Sequence, residues 1–148
     1  MKKVRIFLSY DMKTKLLFLE AFLLLGWARF LKTLPFSNIV PSLGQHMKET
    51  SLEINDYNKK TLKNVSNAVN IMSRYTLWES MCLVKAIAAM KMLEKRKIES
   101  TIYFGTAKDA NGNLIAHAWL RSGPYYITGA EVMNQFVVVS KFAKKIQK

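Results

Sequence analysis

The chain has 148 residues, half of them hydrophobic, and a formal net charge of +13. That is enough apolar material for one packed domain and too much for a disordered chain. A single cysteine and two histidines exclude an internal disulfide framework and a cysteine-rich zinc site, so no metal and no cofactor is expected.

The excess of lysine and arginine favours acidic partners: an acidic peptide, an anionic membrane surface or nucleic acid. The basic residues come in short clusters, such as Lys59-Lys60 and Lys95-Arg96-Lys97. No run is long enough to read as a nucleic-acid arm.

The most apolar stretch is Leu16 to Leu31, LLFLEAFLLLGWARFL. A span needs ~20 apolar residues, and Glu20 and Arg29 inside this run would be costly in lipid. No convincing cleavage site for a signal peptide follows it. The run reads as a helix that is buried or interfacial, with Lys13, Lys15, Arg29 and Lys32 placed to reach a membrane surface. Core packing is the plainer of the two readings.

Leu34 to Gly44, with two prolines and a glycine, reads as a helix stop and a loop. Glu49 to Arg74 is polar and helix-friendly. Its apolar positions are Leu52, Ile54, Tyr57, Leu62, Val65, Ala68, Val69 and Met72, and from Leu62 onward they follow an amphipathic helical spacing. The first half is therefore expected to be all-helical.

A capping box at Thr76 and Glu79, with Ser80 as a rival cap, predicts a helix running to about Lys97. Short β-rich runs follow: Ser100 to Ala107, Asn113 to Ser122, Pro124 to Gly129 and Gln135 to Phe142. Asn111-Gly112 marks a hairpin between the first two. The expected class is α+β: helices, then one more helix, then an antiparallel meander. The division is a helical region over 1–75 and a core over 76–148, forming one compact unit.

Cys82 falls in the opening turns of its helix. Unpaired N–H groups and the helix dipole there favour thiolate and can bind an oxyanion. A lone cysteine is more often a small buried hydrophobe. His117 lies in the strand NLIAHAWL, where alternation puts Ile115, His117 and Trp119 on one face and Ala116, Ala118 and Leu120 on the other. If the alanine face packs on the helix, His117 points away from Cys82. The reverse packing would bring the two together, as nucleophile and base of acyl transfer.

These motifs resemble the lasso peptide biosynthesis B2 proteins, which are transglutaminase-like cysteine proteases related in fold to papain. The matching residues are Trp78, Ser80, Cys82-Leu83, Ala86, Ala88, Ala89, Gly105 and Ala116-His117-Ala118-Trp119, within Arg74 to Phe142. The resemblance implies a Cys-bearing helix packed on a small antiparallel sheet, and removal of the leader from a ribosomally made precursor peptide in the cytoplasm. Cys82 would attack the scissile carbonyl, and His117 would act as base and then acid. The implied partners are the precursor, a separate B1 leader-recognition protein, a lasso cyclase and a membrane exporter, with no nucleic acid.

The family aspartate after the histidine strand is missing. Ala130 stands near its place. Glu131, Asn134 or a Cys–His dyad are the open alternatives, with Glu131 first. Trp78, Ser80 and Trp119 are candidates for substrate or oxyanion contacts. Two other readings remain. One is a non-catalytic basic module binding an acidic peptide, a membrane surface or RNA. The other is transglutaminase or acyltransferase chemistry on the same fold.

Overall fold

The computed structural model describes residues 2–146 except 54 and 79. Ile54 and the Glu79 half of the expected capping box lie outside the described residues. The elements are α1 (Lys2–Ser9), α2 (Met12–Lys32), α3 (Phe36–Leu43), β1 (Gln45–His46), α4 (Asp56–Met72), α5 (Cys82–Lys95), β2 (Ser100–Lys108), β3 (Leu114–Ser122), β4 (Tyr125–Thr128), a 3-10 segment (Ala130–Gln135) and β5 (Val137–Lys144).

The core is built around α5. Val84, Ala86 through Met90, Met92 and Leu93 are all buried, as expected of a helix enclosed on most sides. The alanines allow neighbours to approach closely. α2 contributes Phe18, Ala21, Leu25 and Ala28, and α4 contributes Leu62, Val65, Ala68 and Val69. One apolar cluster joins these residues to Ile102, Leu120, Ile127 and Phe142 of the sheet. Glu20, the acid within the apolar run, points at α5's end. Arg96 donates to both its oxygens, at 2.8 and 2.6 Å, and this hydrogen bonding holds the Glu20 carboxyl below its usual range.

The first half differs from expectation at three points, one more helical and two less. The segment expected to be a loop after α2 forms α3. Pro35 supplies the residue before it with φ −56°, Ile39 and Leu43 are buried one turn apart, and Pro41 sits within. A proline fixes φ in the helical range, and in so short a helix its missing N–H removes little. Next comes β1, a two-residue strand paired with β5. Residues 49–53 and Asn55 are then not helical: α4 begins at Asp56, where the Asn55 side chain accepts the Tyr57 N–H.

The sheet is antiparallel in the order β1-β5-β2-β3-β4. β2, β3 and β4 form the expected meander. β5 does not extend it, because the 3-10 segment carries the chain back to the free edge of β2. The β2–β3 hairpin closes around Asp109, whose Oδ1 accepts the N–H groups of Asn111 and Asn113, with Gly112 at φ 80°. β1 covers β5 only at Phe142 and Ala143. Among the described residues the outer edge at Val137–Val139 has no strand neighbour, and all three valines are exposed.

Alternation sorts the sheet into two faces. Ile102, Leu120 and Phe142 lie side by side and face the helices. Tyr103, Trp119 and Arg121 face the other way, under residues 49–51. Arg121 donates to Tyr103 Oη at 2.9 Å, to Gly123 O at 2.7 Å and to Thr50 O at 2.9 Å. Its buried charge is thereby hydrogen-bonded throughout.

Candidate active site

The approach to Cys82 is a tight turn. Thr76 Oγ1 donates to Trp78 O at 2.9 Å and shares a 2.8 Å hydrogen bond with Ser80 Oγ. Trp78 lays its indole on α2, against Phe22 at 5.1 Å between centroids and directly over Gly26, where a Cβ would come within 3.3 Å of the ring. Ser80's hydroxyl is thus committed to Thr76, and the Trp78 ring anchors the turn to α2. Neither Thr76 nor Ser80 caps the helix: Met81 is the N-cap residue and makes no side-chain cap.

Cys82 is the first residue of α5 and is half-buried. Among the described residues no side chain caps the first turn. N–H groups at a helix start can hydrogen-bond an oxyanion formed beside the thiol.

His117 sits mid-β3. Its Nε2 lies 2.7 Å from the carbonyl oxygen of Gly129. A carbonyl can only accept, so Nε2 carries the hydrogen and the lone pair of the neutral ring is on Nδ1. The ring is held between Trp119, at 5.7 Å and stacked, and Phe136 at 5.0 Å. Trp119 in turn stacks on Tyr103 at 5.7 Å.

Two glycines make this stack possible. A Cβ on Gly105 would come within 2.9 Å of the Trp119 ring and of Phe136 Cβ. Gly129 has φ 76°, and a Cβ there would meet Ala118 O at 2.6 Å and His117 Nε2 at 3.1 Å. Only glycine gives both the conformation and the close approach.

Of the two packings open to the strand, the structure has the alanine side inward: Ala118 and Leu120 face the helices, and His117 shares the opposite face with Trp119. No hydrogen bond joins Cys82 to His117 among the described residues. Glu131 and Asn134 are exposed on the 3-10 segment, and neither hydrogen-bonds His117. The group that orients the imidazole is the Gly129 carbonyl. A backbone oxygen has no residue letter, so sequence reading passed over it. The signal was the glycine itself, next to the position where an aspartate was sought.

The family model of the Transglutaminase-like superfamily matches residues 21–141. The match begins within α2 and ends within β5, so it takes in most of the helical half as well as the Cys82 helix and the His117 strand. No curated protein and no solved structure matches the chain. With a fold of helices on an antiparallel sheet and a family match over most of its length, the chain belongs to the transglutaminase-like superfamily, which includes cysteine peptidases and acyltransferases.

Proposed function

We propose that this chain is a cysteine peptidase that cuts the leader from a ribosomally made lasso precursor presented by a separate B1 protein. The observation that carries the reading is the half-buried thiol of Cys82 at the uncapped start of α5. The thiolate attacks the scissile carbonyl, and the first-turn N–H groups receive the oxyanion. His117 Nδ1 takes the thiol proton and returns it to the leaving amine. Water then hydrolyses the thioester, and the thiol is regenerated. The Gly129 carbonyl supports this role by fixing the tautomer.

The chemistry requires Cys82 and His117 to come within hydrogen-bond reach, and no hydrogen bond joins them among the described residues. The opposed packing of His117 favours a second reading, a member of the superfamily that binds peptide and does not cut it. Amine in place of water as the acceptor would make the same thioester an acyl-transfer intermediate.

Mass spectrometry of precursor, B1 protein and this chain separates the readings. Cleavage by wild type and none by Cys82→Ala, a loss of at least about a thousandfold, is expected. Cleavage that survives in Cys82→Ala removes Cys82 from the chemistry. No cleavage by folded wild type selects the binding reading. A product carrying an added amine selects acyl transfer.

A further inference from the structure

We propose that the outer stripe of α2 docks on an anionic membrane surface. From Leu16 to Phe30 the exposed positions of α2 are Leu16, Leu19, Leu23, Trp27 and Phe30, so the solvent face of this stretch holds no polar residue. The exposure is 52% for Leu19 and 63% for Phe30, too great for side chains packed against this chain's own core. At about 100° per residue the stripe occupies a sector roughly 80° wide, opposite Phe18, Ala21, Leu25 and Ala28. Scattered exposed leucines are ordinary, but a continuous apolar line several turns long marks a contact surface.

Charge selects the occupant. On one flank, each carboxylate already holds two cations: Glu20 holds Arg96 and Lys95, and Glu94 holds Lys91 and Lys144. Lys13 is exposed on that flank, and Lys15 lies on the other. Lys91 Nζ stands 5.9 Å from the Trp27 ring centroid, an indole beside a cation, the pairing favoured at the level of lipid headgroups. A second copy of the chain would bring the same cationic flanks opposite these, and the net charge of +13 would oppose it further. A leaflet of anionic lipid accepts the leucines and neutralises the lysines together. Among the described residues no helix is long and apolar enough to cross a membrane, so α2 lies in the surface plane. The docking is independent of the chemistry at Cys82.

The test is vesicle flotation of the full chain, on phosphatidylcholine alone and on phosphatidylcholine mixed with phosphatidylglycerol. The comparison is with Leu16→Gln/Leu19→Gln/Leu23→Gln, which leaves the charge unchanged at exposed positions. Wild type is expected to float with the mixed vesicles only. The variant, still folded by circular dichroism, is expected to partition about a hundredfold more weakly, because three exposed leucines no longer enter the leaflet. The proposal fails if wild type does not float with the mixed vesicles, if it floats equally with neutral ones, or if the variant floats as well as wild type. It also fails if sedimentation shows a wild-type dimer that the variant disperses while vesicles bind neither, because a second copy then covers the stripe.

Discussion

On the sheet face that meets α5, Ile102, Leu120 and Phe142 are buried in the apolar cluster, with Phe142 edge-on to Phe36 and Phe104. On the opposite face, Tyr103, Trp119 and Arg121 are almost as deeply buried, but there rings stack and hydrogen bonds are directed at a buried charge. The first face has no hydrogen bonds to satisfy, and its stability scales with apolar area. The second face fixes angles. Arg121 ties Thr50 and Ser51 down, Tyr103 donates to Glu49 beside them, Tyr103 supports Trp119, and Trp119 sets the plane of His117. The same five-stranded sheet therefore separates what holds the fold from what aims the imidazole.

Three substitutions test that separation. Leu120→Ala on the helix-facing side should have the largest effect, a loss of about 3–4 kcal/mol in urea unfolding from transfer and cavity terms. The His117 ring resonances in an NMR spectrum should be unchanged. Arg121→Ala should cost less, roughly 2–3 kcal/mol, by leaving the Thr50 and Gly123 carbonyls without their donor. It should also speed amide exchange in residues 49–51, which Leu120→Ala should do only through global unfolding. If Arg121→Ala is the more destabilising of the two, the polar face carries the fold after all. Gly129→Ala should cost about as much as Arg121→Ala, roughly 2–3 kcal/mol, from a strained positive φ and from a Cβ 2.6 Å from Ala118 O. Its effect on His117 should be the greatest of the three, shifting the ring resonances as the carbonyl contact is displaced. An unperturbed imidazole in Gly129→Ala would show that the carbonyl does not orient it.

The sequence was most informative where periodicity matched a single solution. The Asp109–Gly112 turn, the three meander strands and the alanine-rich α5 are local signals that tertiary packing reinforced. It was least informative where a residue's meaning depends on its partner. Pro35 and Pro41 look like breaks until Ile39 and Leu43 are seen to be buried, which makes a short helix worth forming. The return of β5 to β2 is decided by the free edge of β2 and not by anything in VVVSKF itself. At the site, Cys82 and His117 stood out by residue type. The face of β3 was open, because small and aromatic sides could each have met the helices. Leu120's place in the apolar cluster with α5 settled it.

The uncovered run of β5 has a consequence for the protein in solution. Val137, Val138 and Val139 present an unpaired backbone edge with apolar side chains, the combination that seeds pairing between molecules. The +13 charge is then a colloidal safeguard, keeping such edges apart through mutual repulsion. That protection acts over a Debye length of only about 10 Å at 0.1 M salt. Concentrated stocks should accordingly stay clear in dilute buffer and turn cloudy as salt is raised, the reverse of the salting-in common for proteins near neutrality.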